Sequence, residues 1–500
     1  MSYAGDGISL AVEAGKFIDS TPSPFHLCAE ASALLESAGF VELQETDAWR
    51  PLLKPGGSYY FIRNGSTLVA FTVGGGFQPG NGICVVGAHT DSPVLMLKPS
   101  SKKSAHGYMQ LNVETYGGGL WHTWFDRELT LAGSVIVKEA DGSFAKKLVK
   151  INRPLLRVPN LCIHLQSADE RAKFGPNKET HLMPILGMVS DTLNKPGSAA
   201  SSDAKENKAN APPADEPPIT DDRHAPELLR LLGSELECAP SAIQDFELLL
   251  VDCQPSQIWG LNNEFLSSPR LDNQVHCFTA LRALLDHTET MPPTQPDVAM
   301  IALFDHEEVG SESACGAAST VMAESLQRVS SSLCPEASSP HAASETLAIT
   351  TRRSFLISAD CAHAIHPNYA EKHQSAHAPK LNQGTVIKSN DNQRYATNSV
   401  SGFFVREIAR TAGISIQEFM VKNDCPCGMT IGPIISAKTG LRTVDVGVPT
   451  LSMHSIRETM GCADVDNAYE LKRTFFKKFA ELDAKCNFVA CKPCPPKKIS

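Results

Sequence analysis

The 500-residue chain has no excess of basic residues and no long apolar run. Its formal net charge is −10, whereas nucleic-acid binding requires clustered positive charge, so we expect no nucleic-acid partner. No apolar run approaches the ~20 residues that a membrane-spanning helix requires, so we expect no membrane attachment. The first six residues have neither a basic nor an apolar segment, which argues against secretion. We therefore expect a cytoplasmic protein.

The sequence also lacks a disulfide framework, although it contains 15 cysteines. Their number is odd and their spacing is irregular, so we expect reduced thiols, many of them buried. Cys425 and Cys427 form one close pair, and Cys491 and Cys494 form another. Neither pair has a second matching pair, so we assign no structural zinc to them.

The length of the chain and its 42% hydrophobic content predict a globular protein of two domains. Buried apolar runs alternate with helical periodicity, which is typical of an α/β fold. Strands are expected at 82–88, 298–304, 355–359 and 443–449, a hairpin at 59–73, two helices within 8–40, and further helices at 272–286, 397–411 and 463–483. No internal repeat is visible.

Short strands and turns replace this pattern after Lys98, and the sheet pattern of the first part resumes near Phe246. We therefore expect an α/β catalytic domain formed by residues 1–96 and 254–500, interrupted by a β-rich domain formed by residues 97–253. Two polar segments, 190–226 and 330–346, have too few large apolar groups to order themselves, so we expect mobile loops there.

Two adjacent carboxylates, Glu307 and Glu308, follow the apolar run 298–304. Open α/β sheets bind their ligands at the carboxyl ends of their strands. Because successive strand side chains point to opposite faces, two adjacent glutamates can hold different roles. One can bind a metal while the other transfers a proton.

Five residues of metal-binding types lie at the ends of predicted strands or at loop entrances: His89, Asp272, Glu308, Asp360 and His454. Taken singly, such a histidine is usually a satisfied, partly buried imidazole, and Asp272 would suit a helix N-cap. A shared metal site explains the set, because ionisable groups at buried strand ends are costly unless paired or bound. Imidazole and carboxylate ligands suit zinc, cobalt or manganese, and five of them suit two bridged ions.

Several motifs in this order resemble those of the M18 aspartyl aminopeptidases. They are residues 87–93, 270–273, 305–311, 357–360 and 453–458, together with 116–119 and 124–127 in the β-rich insert. The resemblance extends from the first helix to about residue 480. His306 is a departure, since several relatives carry Asn there, and the two polar segments are longer than in some members.

The resemblance implies two divalent ions per subunit, zinc in the first place with cobalt or manganese as alternatives. It places one ion on His89, Asp272 and Asp360, and the other on Asp272, Glu308 and His454. It makes Glu307 the general base and gives Asp91 the role of orienting His89. We also expect a cis peptide bond between Asp272 and Asn273.

Two further catalytic or substrate-binding residues follow from the resemblance. His164 would reach the active site from a neighbouring subunit and stabilise the oxyanion; without the resemblance it would be a core histidine in a strand. Lys388 would bind the acidic side chain of the substrate, although most lysines lie at the surface. His363 and His366 would line the same pocket.

The implied activity is the release of N-terminal Asp and Glu residues from peptides, with Glu307 taking a proton from an activated water. The insert would mediate dimerisation, and dimers would build a dodecamer. Two alternatives remain at this point: a neutral-residue M18 aminopeptidase or zinc amidohydrolase, and a non-enzymatic, metal-stabilised scaffold that binds peptides.

Overall fold

The computed structural model of the chain describes residues 6–189, 221–334, 340–486 and 488. It contains ten α-helices within these ranges, in addition to short 3-10 turns. They are α1 Asp6–Ser20, α2 Pro24–Ser37, α3 Ala168–Ala172, α4 Pro226–Glu235, α5 Leu271–Thr290, α6 Val321–Ser332, α7 Pro340–Arg353, α8 Ser399–Ala412, α9 Ile431–Thr439 and α10 Cys462–Asp483. Within the same ranges, no helix is long and apolar enough to cross a membrane.

Twenty strands in the described part of the chain form three sheets. They are β1 Val41–Glu42, β2 Ser58–Arg63, β3 Thr67–Val73, β4 Ile83–His89, β5 Val94–Ala105, β6 Tyr108–Tyr116, β7 Leu129–Lys138, β8 Phe144–Lys150, β9 Ile185–Met188, β10 Ile243–Asp252, β11 Gln257–Trp259, β12 Phe265–Ser268, β13 Val298–Phe304, β14 Phe355–Ala359, β15 Ala362–His363, β16 Thr385–Lys388, β17 Ile416–Phe419, β18 Arg442–Gly447, β19 Pro449–Leu451 and β20 Glu458–Gly461.

The largest sheet has nine strands in the order β1-β2-β3-β13-β4-β14-β18-β16-β17. Its four central strands, from β13 to β18, are parallel, and antiparallel strands flank them on both sides. Three of these strands, β4, β13 and β14, are buried along their whole length and almost wholly apolar, as expected for parallel strands covered on both faces. The predicted α/β fold with a mixed sheet is confirmed.

Helices cover both faces of this sheet. Residues of α1, α5, α8 and α10 share one apolar core with alternate strand residues such as Val86 and Ile301. Residues of α6 and α9 share a second core with the intervening residues, such as Val85 and Met300. Successive side chains of each strand point to opposite faces of the sheet, so each apolar strand contributes to both cores.

A six-stranded antiparallel sheet, ordered β8-β7-β10-β5-β6-β9, has a separate apolar core. Its strand β10 pairs with β7 over nine residues, so the expectation that the first sheet resumes near Phe246 is wrong. The run around Phe246 completes the second sheet instead, because it pairs antiparallel with β7 and β5. A five-stranded sheet has the order β11-β12-β20-β19-β15. In it, the strand that precedes α5 pairs with the strand that precedes α10.

The predicted helices within 8–40 and at 272–286, 397–411 and 463–483 are present as α1, α2, α5, α8 and α10. The predicted mobile loop at 330–346 is wrong in its described part, because α6 continues to Ser332 and α7 begins at Pro340. Of the other predicted loop, residues 190–220 lie outside the described residues, and α4 begins at Pro226. The thirteen cysteines among the described residues are all free thiols; Cys491 and Cys494 lie outside them.

Candidate metal centre

The five predicted ligands meet at the carboxyl edge of the nine-stranded sheet. His89 is the last residue of β4 and pairs in register with Phe304, the last residue of β13. Asp360 directly follows β14, and Glu308 lies in the 3-10 turn that follows β13. Because these strands are parallel neighbours, their ends place the three side chains together.

The remaining two ligands enter from loops. Asp272 lies at the start of α5, and its peptide bond to Asn273 is cis, as predicted. The side-chain amide of Asn273 donates to the carbonyl oxygen of Ala359 at 2.8 Å, which fixes the start of α5 against the end of β14. His454 lies in the loop between β19 and β20.

These ligands form two groups that share Asp272. One group is His89, Asp272 and Asp360, and the other is Asp272, Glu308 and His454; within each group the ligand atoms lie within 4.8 Å of one another. The two oxygens of Asp272 face different histidines. Oδ1 lies 3.5 Å from Nε2 of His89, and Oδ2 lies 3.5 Å from Nε2 of His454. The carboxylate of Asp272 is therefore common to both groups, with one oxygen turned toward each histidine.

The electrostatics of this cluster fit cation binding. Oδ1 of Asp272 and Oε1 of Glu308 are buried and accept no hydrogen bond from any described residue, which is costly for a carboxylate oxygen. Burial raises the pKa of Glu308 to about 7 and that of Asp360 to about 6. Divalent ions would satisfy the free oxygens and relieve the crowding of negative charge, so the residues present fit the predicted metals.

Glu307 lies beside the two groups. Its Oε2 is 4.0 Å from Nε2 of His89, and its side chain is partly buried in the edge of the cluster. Burial raises the pKa of Glu307 well above the ordinary value for a glutamate. A carboxylate with a raised pKa accepts a proton more readily, which suits proton transfer near neutral pH.

Asp91 holds the turn that carries both glutamates. Its carboxylate accepts hydrogen bonds from the backbone N–H groups of Glu307 and Glu308, at 3.1 and 3.0 Å, and from the hydroxyl of Tyr116 at 2.7 Å. It also lies 3.4 Å from Nδ1 of His89, while the backbone carbonyl of Asp91 lies 3.1 Å from the same nitrogen. The contact with the imidazole was expected, whereas the anchoring of the turn was not.

Sequence reasoning missed Glu458. This buried carboxylate accepts hydrogen bonds from the backbone N–H groups of Asp272 and His454, both at 2.8 Å, so it ties two proposed ligands together. Burial and the charge of Asp272 raise its pKa to about 8. The sequence offered one sign of its importance. Glu458 is the only charged residue of a short strand and belongs to the motif 453–458.

Lys388 lies next to Asp360 and is only 4% exposed, so the alternative of a surface lysine is wrong. Its ammonium donates to the carbonyl oxygens of Cys361 and Asp360 at 2.9 and 3.3 Å and lies 3.8 Å from Oδ1 of Asp360. His363 follows on the same segment, is exposed, and packs its ring against Phe419.

His164 is not brought to the metal centre within one chain. It lies in an exposed 3-10 turn, Ile163–Leu165, and not in a strand, so the alternative of a core histidine is wrong. Across the described ranges of the chain, its side chain has no hydrogen bond or ion pair. The adjacent Leu161, Ile163 and Leu165 are 51, 62 and 71% exposed.

Comparisons with known proteins bear on this site. Residues 17–476 match the family described as aminopeptidase I zinc metalloprotease (M18). An aspartyl aminopeptidase of Aspergillus oryzae is 46% identical over 479 residues, covering 93% of this chain and 95% of the relative. Aspartyl aminopeptidase 4 of Saccharomyces cerevisiae is 44% identical and covers 94% of each chain.

Solved structures agree with these relatives. A chain in a cryo-EM structure of the Ape4 and Nbr1 complex has a TM-score of 0.87 and 42% identity, over 96% of this chain and 87% of that one. The mApe1 dodecamer of Saccharomyces cerevisiae has a TM-score of 0.81 and 28% identity, over 96% of this chain and 98% of that one.

Proposed function

The chain belongs to the M18 family of zinc metalloproteases and is an aminopeptidase, and we propose that it releases N-terminal Asp and Glu residues from peptides. The observation that carries this proposal is the cluster at the sheet edge. Two groups of imidazole and carboxylate ligands share Asp272, and Glu307 lies beside them. The names of the curated relatives, aspartyl aminopeptidases, support the acidic specificity.

We propose that the cluster holds two divalent ions, zinc in the first place with cobalt or manganese as alternatives. His89, Asp272 and Asp360 would hold one, and Asp272, Glu308 and His454 the other. When bound, the ions supply the Lewis acidity that activates water and polarises a carbonyl oxygen. The ligand set contains no thiolate, which is typical of a working site with open positions rather than a structural one.

The proton would be carried by Glu307. Its carboxylate takes a proton from the attacking water and delivers it to the leaving amine. Asp91 supports this role, because its hydrogen bonds to the N–H groups of Glu307 and Glu308 fix the turn on which both carboxylates stand. Glu458 supports it from the other side through the backbones of Asp272 and His454.

Lys388 is the proposed partner of the acidic substrate side chain. Two of its three ammonium donors meet carbonyl oxygens of the segment that carries Asp360, which leaves one donor for a substrate carboxylate. Its burial strengthens that interaction, because a buried charge pair is weakly screened. His363, on the same segment, would line this pocket.

The oxyanion partner is proposed to come from a second chain. His164 is exposed and is flanked by exposed apolar side chains, as expected of a segment that another subunit covers. We propose that residues 97–253 form a dimerisation domain and that dimers assemble into a dodecamer, the assembly formed by mApe1 of Saccharomyces cerevisiae. A cytoplasmic location stays a prediction.

The two adjacent glutamates offer a matched test. Glu307→Gln should retain two metal ions per chain and lose about 10²–10⁴-fold in kcat, the usual contribution of a general base. Glu308→Gln should instead lose metal, because Glu308 is a proposed ligand. Metal content by elemental analysis and turnover of an aspartyl substrate would be measured on both. A Glu307→Gln enzyme with normal turnover would falsify the assignment of the base.

A further inference from the structure

A cavity of about 430 Å³ adjoins the metal centre, and Asp91 and Tyr116 are part of its wall. Three other residues of its wall form a third cluster of metal-binding side chains, separate from the two ligand groups. They are Asp305, His306 and Cys315. Asp305 and His306 follow β13 directly, and Cys315 lies on the loop before α6.

The distances between these three side chains are compatible with one shared ion. Sγ of Cys315 lies 3.4 Å from Nδ1 of His306. Zinc bonds of ~2.3 Å to sulfur and ~2.0–2.1 Å to nitrogen, at a tetrahedral angle, separate the two ligand atoms by roughly 3.5 Å. One ligand atom from each of the three residues lies within 4.8 Å of the others. Oδ2 of Asp305 lies 3.5 Å from the opposite ring nitrogen, Nε2, so the Asp305 side chain would turn toward Nδ1 to share the ion with Cys315.

We propose that Asp305, His306 and Cys315 form a third metal site that takes a thiophilic divalent ion such as Zn²⁺. Three protein ligands leave the fourth tetrahedral position for a water from the cavity. A thiolate distinguishes this site from the metal centre, whose proposed ligands are all imidazole or carboxylate, and it favours zinc over calcium or magnesium.

The position of the site connects it with the turn that carries the catalytic glutamates. Asp305 and His306 directly precede Glu307, and the carbonyl of His306 accepts the N–H of Ser311 at 2.7 Å, which closes that turn. An ion bound at this site would therefore fix the turn through the side chains of Asp305 and His306, while Asp91 fixes it through the N–H groups of Glu307 and Glu308.

The competing interpretation is a hydrogen-bonded cluster without an ion. Oγ of Ser313 lies 2.7 Å from Nδ1 of His306 and 3.7 Å from Sγ of Cys315. Metal binding at Nδ1 would replace the contact of Ser313 with His306, while Ser313 would keep the hydrogen bond that it accepts from the N–H of Gly316. The two interpretations differ in whether a thiolate binds metal.

Cobalt substitution separates them, because a thiolate ligand to Co²⁺ gives a near-ultraviolet charge-transfer absorption that imidazole and carboxylate ligands do not. The full-length protein would be stripped with a chelator, dialysed against Co²⁺, and measured by absorption and elemental analysis. We expect this absorption in the wild type, its loss in Cys315→Ser, and one fewer ion per chain in that variant. Cys162→Ser, which changes an exposed cysteine, is the matched control and should keep both.

His306→Asn is the second variant, chosen because Asn tolerates the left-handed backbone of His306, whose φ is 64°. It should also lose the absorption, so the proposal does not depend on the folding of one variant. An absorption that is absent from the wild type at saturating Co²⁺, or that persists in both variants, would establish the hydrogen-bonded cluster and overturn the third site. The readout follows the thiolate, so it does not depend on whether the metal centre holds two ions.

Discussion

The metal centre and the segment 161–166 both carry predicted catalytic residues, but they differ in what surrounds those residues. At the centre, His89 and Asp272 are 1 and 3% exposed, and the imidazole and carboxylate groups that meet there come from different elements of one chain. In the segment, His164 is exposed among exposed apolar side chains and lacks a polar partner within the described part of the chain. One region is assembled within a single chain, and the other is not.

The physical cause is the register of the central strands. Parallel pairing of β13, β4 and β14 places the ends of three strands side by side, so residues far apart in sequence become neighbours at that edge. The segment 161–166 has no such constraint, because it lies outside every strand. Its apolar surface is of the kind that other chains bury, which is why we propose that His164 acts in the site of a second subunit.

The largest effect on metal content and turnover is expected from loss of Asp272, the residue that both ligand groups share. Asp272→Asn should lower metal content and reduce turnover by more than about 10³-fold, because Asp272 belongs to both ligand groups. Elemental analysis and steady-state kinetics would be compared with Asp245→Asn, which changes an exposed aspartate. Normal metal content in Asp272→Asn would show that the two groups do not act as one centre.

His164→Ala should lose about 10²–10³-fold in kcat, the usual cost of removing one oxyanion donor. Metal content should not change, because His164 belongs to neither ligand group. The control is His341→Ala, which also changes an exposed histidine.

Mixed oligomers would show in which chain His164 acts. Co-refolded His164→Ala and Glu307→Gln chains should regain activity, because an intact Glu307 can then meet an intact His164 from its neighbour. Full activity of His164→Ala alone would show that His164 is not catalytic. No recovery in the mixture would show that it does not act in the site of a neighbouring chain.

Loss of Lys388 is expected to have a smaller effect on kcat/KM, and one confined to acidic substrates. Lys388→Met should reduce kcat/KM for Asp and Glu substrates by about 10–100-fold relative to a Leu substrate, because a hydrogen bond to a charged group contributes about 1.5–3 kcal/mol. Metal content must be measured alongside, since Lys388 also lies 3.8 Å from Asp360. Equal losses on all three substrates would assign Lys388 to the support of Asp360 and not to specificity.

The smallest effect on activity is expected at Lys472, a buried lysine that belongs to neither region. Its ammonium contacts Nδ1 of His276 and the hydroxyl of Thr279 rather than a carboxylate, and burial lowers its pKa from 10.5 to about 7. The unfolded chain therefore binds more protons between pH 7 and 10.5, so this lysine makes stability rise with pH in that range.

Lys472→Met should remove this dependence. The stability of the wild type relative to the variant should rise by up to about 5 kcal/mol across the range, as the shift implies. Denaturant unfolding at pH 7, 8.5 and 10 measures it. A difference between the two proteins that is constant with pH would show that Lys472 keeps its proton when folded.

The parts of the molecule that could be predicted from sequence are those where a local pattern determines the structure. Apolar runs that end in polar residues marked β4, β13 and β14, and therefore the edge where His89, Glu308 and Asp360 meet. The cis peptide after Asp272 followed from resemblance and is present. The assignment of β10 to the wrong sheet shows the limit, because a strand's own residues do not specify which strands it pairs with.

Contacts that depend on tertiary packing could not be predicted. Glu458 stands out locally as the one charged residue of its short strand, but its acceptance of the N–H groups of Asp272 and His454 depends on how distant segments pack. Lys388 is buried by other segments of the same chain, which its residue type cannot reveal. The residue type alone therefore suggested a surface position. The polar composition at 330–346 predicted a mobile loop, yet helices occupy most of its described part, because alanine and serine also fit the end of a packed helix.

The proposed activity is the release of N-terminal Asp and Glu residues, and it requires bound metal. One panel of substrates tests both parts of this proposal. Aspartyl, glutamyl, leucyl and N-acetylated substrates would be assayed on oligomer fractions of known mass, before chelation, after chelation, and after return of Zn²⁺, Co²⁺ or Mn²⁺. We predict hydrolysis of the aspartyl and glutamyl substrates with a free amino group, its loss on chelation, and its recovery with metal. Preference for the leucyl or N-acetylated substrate, or activity that persists without metal, would contradict it.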